Sequence, residues 1–209
     1  MVEWDSKMTE GIAAEDVRLF IAVMIPDEVK TQMEKAQADL GRGLAAGRIR
    51  WTRHGQFHLT LRFLGNVEAQ RVGQLIEVVR GACQVFPALQ LRAQGVGFFP
   101  DLRFPRVIWV GVRDERDQLG RLQLAVQNSV RDFTTQEPEE RFTGHVTLGR
   151  FKGIKREEAK TMTKSAATLA SRSFGEWTAD KLQIMRSELS SETARHTVLA
   201  TLPLGGSTA

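Results

Sequence analysis

A tetrad that occurs twice constrains this chain more than any other feature. His58-Leu59-Thr60-Leu61 sits within Phe57-His-Leu-Thr-Leu-Arg-Phe-Leu-Gly65, and His145-Val146-Thr147-Leu148 within Gly144-His-Val-Thr-Leu-Gly-Arg-Phe151. The chain has four histidines, and two of them open the same motif. Both tetrads have the β-branched and apolar composition of strands, with a turn residue beyond. Side chains alternate across a strand, so residues i and i+2 share a face. His58 and Thr60 therefore point one way, and Leu59 and Leu61 the other. The same parity sets His145 and Thr147 against Val146 and Leu148.

The surroundings of the tetrads also repeat. Val17 to Met24 is a continuous apolar run, suited to a buried strand. Pro26 and Asp27 then open a helix whose inner stripe is Val29, Met33, Ala36, Leu40 and Leu44. A basic loop with Arg48, Arg50 and Arg53 leads to the first motif strand, Phe57 to Leu64, closed by Gly65 and Asn66. A helix striped by Val72, Leu75, Ile76, Val79 and Cys83 follows, and then a strand over 88–99. The pattern restarts with a strand at Val107 to Val112. A helix capped by Asp114 follows, with Leu119, Leu122, Val126, Val130 and Phe133 inward. A polar loop, Thr134 to Arg141, precedes the second motif strand. A fourth helix over 155–170 and two strands, 179–186 and 195–204, complete the chain.

The order β-α-β-α-β thus occurs twice, with near-equal spans from Arg18 to His58 and from Val107 to His145. Matching order, spacing and motif argue for an internal duplication. Residues 17–204 are expected to form a single bilobal domain. Its first lobe covers about 17–100 and its second about 105–204. Residues 1–16 are expected to be a disordered extension and 205–209 a disordered tail. Two lobes related by a pseudo-twofold axis place His58 and His145 across a shared cleft.

Composition excludes several classes. No apolar run approaches the ~20 residues that span a bilayer. The first residues are acidic and carry no signal-peptide pattern, so no membrane association and a cytoplasmic protein are expected. A single cysteine forbids an internal disulfide. A net charge of +4 tilts the chain toward anionic partners such as RNA.

Two facing imidazoles can divide a proton transfer, one neutral and one protonated. The neutral ring takes a proton from water while the other gives one to a leaving oxygen. Hydroxyls from Thr60 and Thr147 suit the oxygens of a phosphoryl group, and arginines suit its charge. This constellation fits phosphodiester cleavage without a metal or other cofactor. Neither motif holds the third ligand that a metal site needs. By strand parity Arg62 shares the face of His58, whereas Arg150 has the opposite parity unless a bulge re-aims it. Arg62 and Arg150 are both carried forward as phosphate contacts. Phe57 and Phe142, which flank the motifs, are carried forward as substrate contacts that stack a base. Trp51 flanks the first motif as well. Arg50, Arg53 and Lys152 are suited to follow an RNA backbone. His54 and His196 are expected to be solvated or structural.

The paired tetrads, with Arg18-Leu-Phe-Ile-Ala-Val23, Pro105-Arg-Val-Ile-Trp-Val110 and Ala194-Arg-His-Thr-Val-Leu-Ala200, resemble the two-histidine (2H) phosphoesterases. The resemblance is closest to bacterial RNA 2′,3′-cyclic phosphodiesterases, also called 2′-5′ RNA ligases, and runs from Arg18 to Leu204. Gly144 stands where that family usually has proline, and His196 where it commonly has tyrosine. The resemblance implies an α+β fold, bilobal, with antiparallel sheets lining a central cleft. It implies metal-independent hydrolysis of an RNA terminal 2′,3′-cyclic phosphate to a 2′-phosphate. Within that chemistry it makes His58 the proton donor and His145 the proton acceptor. Some members join tRNA halves through a 2′-5′ linkage at the same site, so tRNA halves are a candidate substrate. A monomer is expected. Two rivals stand beside this reading. One is a phosphodiesterase acting on a small nucleotide cyclic phosphate, and the other is a non-catalytic RNA-binding module.

Overall fold

The computed structural model describes residues 16–42, 44–101, 104–153, 156–189 and 194–206. Apart from Asp16, the expected N-terminal extension lies outside these residues. Among the described residues, nine strands and four helices follow one another along the chain. They are β1 (Val17–Met24), α1 (Asp27–Gly41), β2 (Ile49–Trp51), β3 (His58–Val67), α2 (Val72–Cys83), β4 (Leu89–Phe99), β5 (Val107–Arg113), α3 (Gln118–Ser129), β6 (His145–Phe151), α4 (Arg156–Ala167), β7 (Ser173–Ala179), β8 (Lys181–Leu189) and β9 (Ala194–Pro203).

The helices follow from local chemistry. Asp27 and Glu28 occupy the first turn of α1, where carboxylates meet the positive end of the helix dipole. Val29, Met33, Ala36 and Leu40 form its buried stripe. The helix stops at Gly41, so Leu44 packs on the core from the following loop. Asp114 holds the start of α3 by accepting hydrogen bonds from the backbone N–H groups of Gln118 and Leu119, at 2.8 and 3.1 Å. That satisfies donors a helix start leaves open. Val130 and Phe133 belong to a short 3₁₀ turn beyond the helix.

All the strands pair antiparallel, in the order β7-β4-β5-β6-β3-β1-β8-β9, with β2 added on β6. The two motif strands meet at the middle, where Leu59 pairs with Val146. On one side of this seam lie β3, β1, β8 and β9; on the other lie β6, β5, β4 and β7. The lobes therefore do not divide the chain at residues 100–105. Strand β4, from the first half, sits among the strands of the second. Strands β8 and β9, from the end of the chain, complete the first. Each half of the sheet borrows strands from the other half of the sequence, which ties the lobes together.

Two strands were not expected from sequence. Strand β2 falls in the basic loop and β7 precedes the first of the two strands expected at the end of the chain. The motif strand β3 also runs on through Gly65 and Asn66 to Val67. The expected tail is partly held: Gly205 and Gly206 donate backbone hydrogen bonds to Cys83 and Phe86 at 3.3 and 2.9 Å. Residues 207–209 lie outside the described residues.

The two faces of the sheet have different fates. One face, with Leu19, Ile21, Val23, Leu59, Leu61 and Val146, joins the helix stripes in the main core. The opposite face of β1 and β8 forms a small separate cluster of Phe20, Ala22 and Met185, with Met24 packed against it. That second face is the floor of a cleft. Among the described residues no helix is long and apolar enough to cross a membrane.

Candidate active site

His58 and His145 open their strands on the cleft face, and both tetrads are half-buried at the histidine and threonine and fully buried at the intervening positions. With Leu59 opposite Val146, the antiparallel register sets His58 across from Thr147 and Thr60 across from His145. Each lobe thus presents its imidazole to the other lobe's hydroxyl. All four residues line one cleft of about 620 Å³.

The two imidazoles are held in the same way. Nδ1 of His58 donates to the Gln56 carbonyl and Nδ1 of His145 to the Thr143 carbonyl, both at 2.7 Å. A carbonyl only accepts, so the hydrogen of a neutral ring resides on Nδ1. Nε2 of each ring is left without a partner among the described residues. It is a lone pair on the neutral ring and a donor on the charged one, the two states that base and acid require. The Thr60 and Thr147 hydroxyls likewise have no hydrogen bond among the described residues, although both line the cleft.

Burial lowers both rings' proton affinity. It pushes His58 down to about 4, with the neighbouring charges of His196, His145 and Arg150 acting the same way against the Gln56 carbonyl. His145 is also held below its ordinary value, chiefly by burial, with the Thr143 carbonyl opposing and Arg150 adding to the depression. At neutral pH the cleft therefore holds two neutral rings. An anionic ligand restores the protonated form by supplying the missing counter-charge.

The residues beyond each tetrad contradict simple alternation. Thr60 pairs with Ala22 but Arg62 with Ile21, so Leu61 is an extra residue. Thr147 pairs with Trp109 but Gly149 with Ile108, so Leu148 is an extra residue too. Both copies thus carry a β-bulge at the leucine that closes the tetrad, and a bulge reverses the parity of the residues beyond it. Arg62 is consequently not a cleft residue. It is 7% exposed, and its guanidinium donates to the Gln136 and Glu137 carbonyls at 2.5 and 2.8 Å. It ties β3 to the loop that delivers β6. The second bulge turns Gly149 inward, where an added Cβ would lie 2.7 Å from Ile49 and 2.9 Å from Trp51. It turns Arg150 into the cleft. The position matching Arg150 in the first copy is Phe63, which also faces the cleft.

The aromatic assignments change as well. Phe57 is fully buried and Phe142 packs half-buried against the main core, so neither is placed to stack on a ligand. The cleft instead draws on Trp51, Phe20 and Phe63. His58 lies 4.8 Å from the Phe20 ring, and His145 lies 5.0 Å from Phe99 and 6.0 Å from Trp109. His196 was expected to be solvated or structural, yet its ring stands edge-on to His58 with centroids 5.3 Å apart and lines the cleft. It reaches there because β9 crosses to the first lobe, which only strand pairing decides. His54 does lie outside the cleft, against Glu34 at 3.0 Å.

The rim is cationic. Arg18, Arg50, Arg53, Arg150 and Lys152 line the cleft, and among the described residues no carboxylate does. None of these five has an ion-pair partner among the described residues. Gln37 braces the cationic side from α1, donating to the Thr52 and Leu148 carbonyls at 2.8 Å each. Among the described residues, no group of three His, Cys, Asp or Glu side chains is arranged to hold a metal ion.

Residues 23–109 and 110–195 each match the LigT like Phosphoesterase family. Among curated relatives, the RNA 2′,3′-cyclic phosphodiesterase of Thermotoga maritima is 34% identical over 137 residues, covering 65% of this chain and 71% of the relative. The RNA 2′,3′-cyclic phosphodiesterase of Aquifex aeolicus is 26% identical over 195 residues, covering 91% of this chain and 98% of the relative. A solved protein of Thermus thermophilus superposes with a TM-score of 0.75 at 26% identity, over 91% of this chain and 100% of its own. The Escherichia coli LigT structure in complex with 3′-AMP superposes with a TM-score of 0.71 at 22% identity, over 91% and 99%, a likeness of fold.

Proposed function

The chain belongs to the LigT-like phosphoesterase family, and from that membership and its cleft we propose that it hydrolyses the 2′,3′-cyclic phosphate end of an RNA to a 2′-phosphate. The observation that carries this reading is the matched pair of imidazoles. Each is fixed through Nδ1 to the carbonyl two residues before it, and each leaves Nε2 beside a free threonine hydroxyl. The relatives named as RNA 2′,3′-cyclic phosphodiesterases support the substrate.

In this mechanism His145 acts as base and His58 as acid. Nε2 of neutral His145 takes a proton from water as the water oxygen bonds to phosphorus. Nε2–H of protonated His58 gives its proton to the 3′ oxygen as the P–O3′ bond breaks. The products are a 2′-phosphate and a 3′ hydroxyl. His58 ends neutral and His145 protonated, and exchange with solvent resets the pair. The Thr60 and Thr147 hydroxyls donate to the non-bridging oxygens, and Arg150 balances the charge that builds on them. Binding of the phosphate itself supplies the counter-charge that protonates His58. The steps complete themselves with side chains alone, so no metal enters the scheme. Attack on the same phosphorus by the 5′ hydroxyl of a second RNA end in place of water, forming P–O5′ as P–O3′ breaks, is the route to 2′-5′ ligation of RNA ends such as tRNA halves.

The unpaired cations Arg50, Arg53 and Lys152 favour a polynucleotide over a small nucleotide cyclic phosphate, because they extend the site beyond one phosphate. The decisive experiment incubates the protein with an oligoribonucleotide ending in 2′,3′-cyclic phosphate, with EDTA throughout. A 2′-phosphate product supports the reading. Binding without turnover leaves an RNA-binding module, and a 3′-phosphate product reverses the assigned leaving oxygen.

A further inference from the structure

The duplicated motif has diverged at one pair of equivalent positions. After its bulge the second copy presents a cation, Arg150, to the cleft, and the first presents an aromatic ring, Phe63. Phe63 is 54% exposed. An aromatic ring left open to solvent inside a cleft is a feature that asks for a ligand. It does not stand alone. Its ring centroid lies 5.9 Å from Phe20, and Phe20 lies 5.0 Å from His196. Phe20 is buried beneath, with Met185 packed in the same small cluster. His196 has no hydrogen bond among the described residues, so one ring nitrogen is free to donate and the other to accept. The opposite wall, from β2 and the end of β6, carries Arg50, Arg150 and Lys152 instead.

We propose that the wall formed by Phe63 and His196 over Phe20 is the seat of the terminal nucleobase, with Phe63 as its stacking face and His196 as the group that reads its edge. This rests on the phosphodiesterase reading and adds the orientation of its substrate. The cyclic phosphate lies between His58 and His145. The base of the same nucleotide turns toward the first lobe. The preceding phosphodiesters turn toward the cationic second lobe. Every base has a π-face, so stacking on Phe63 is tolerant of sequence. A neutral imidazole with both nitrogens free is not tolerant, because base edges differ in their donors and acceptors. Burial holds His196 below its ordinary proton affinity, which keeps the ring neutral at physiological pH. The polar groups around it are His58, Ser187 and Arg18, all at the same cleft wall.

The test compares the four nucleoside 2′,3′-cyclic monophosphates with ribose 2′,3′-cyclic phosphate, which lacks a base. Wild-type protein is expected to favour the base-bearing substrates by about tenfold or more in kcat/KM. Phe63→Ala is expected to collapse that ratio toward one, and His196→Phe to flatten differences among the four bases while the ratio persists. Phe63 is exposed, so an unchanged thermal midpoint is the control for folding. A ratio that survives Phe63→Ala, or a base order that survives His196→Phe, overturns the proposal. If wild-type protein turns over neither these compounds nor an oligoribonucleotide ending in 2′,3′-cyclic phosphate, the phosphodiesterase reading falls by itself. The seat is then read by calorimetry with nucleoside monophosphates: binding weakened by Phe63→Ala sustains it, and binding indifferent to that change removes it.

Discussion

Phe63 and Arg150 occupy the same position in the two copies of the motif and face the cleft from opposite lobes. Each is brought there by an extra residue, Leu61 in one strand and Leu148 in the other. The bulges share the symmetry of the histidines, and the two residues they turn into the cleft break it. The acid and base are matched, while the surfaces beside them differ.

His58→Ala and His145→Ala are each expected to lower kcat by ~10²–10⁴, the usual contribution of a general acid or base. The losses should not multiply in the double variant, because the two rings serve one proton transfer. The measurement is turnover of a cyclic-phosphate oligoribonucleotide with chelator present. Near-wild-type turnover in either single variant would sink the acid–base scheme.

Arg150→Ala and Arg62→Ala should separate cleanly. Arg150 is exposed in the cleft, and its removal should raise KM roughly tenfold through the lost charge-assisted phosphate contact, with the thermal midpoint unchanged. Arg62 is buried on the Gln136 and Glu137 carbonyls, and its removal should cost roughly 1.5–3 kcal/mol of stability. Denaturant titration and steady-state kinetics on both variants decide it. A destabilised Arg150→Ala and a stable, high-KM Arg62→Ala would mean that the bulges are misplaced.

The depressed histidines imply a stability profile. His58 titrates near 4 when folded and near the ordinary ~6.5 when unfolded, so between these values the unfolded chain binds more protons. Its contribution to stability is complete above the unfolded value and declines as pH falls from about 6.5 toward 4. His145 acts in the same direction. Denaturation midpoints measured over that window should fall with pH, and His58→Gln should flatten the fall. An unchanged slope in His58→Gln would show that its burial is not what depresses it.

The rate profile follows from the same shifts. The kcat/KM profile reports the free protein, whose rings resist protonation, so its bell should lie on the acid side of ~6.5. The kcat profile reports the complex, where the bound phosphate favours imidazolium, so its limbs should move to higher pH. The limbs belong to the coupled pair rather than to either ring. Initial rates across pH 4 to 9 provide both curves, and a kcat/KM profile with no alkaline fall contradicts a shared proton transfer.

Gly97 pairs with Trp109, and an added Cβ would lie 2.2 Å from the indole. Gly97→Ala should therefore push Trp109 against His145, costing about 1–3 kcal/mol of stability and lowering turnover together. A substitution that leaves Trp109 fluorescence and activity unchanged would place the indole elsewhere.

The amino-acid sequence by itself determined the histidine pair, the duplication and the helix stripes. These are local: a repeated tetrad, and apolar residues at helical spacing along α1, α2 and α3. They name His58, Thr60, His145 and Thr147 without reference to any partner strand. Only the tertiary structure decided which side chains join them. Alternation along a strand holds until one residue is inserted into the pairing, and the insertion at Leu61 is visible only against Ala22 and Ile21 on β1. For that reason Arg62 and Phe63 exchanged places, and Phe57 and Phe142 gave way to Phe63 and Trp51. The lobes were decided in the same way. Strand β4 pairs with β7, and β8 with β1, across long stretches of chain. That pairing carried His196 to His58, because hydrogen bonds between strands far apart in the chain leave no trace in the local pattern of either.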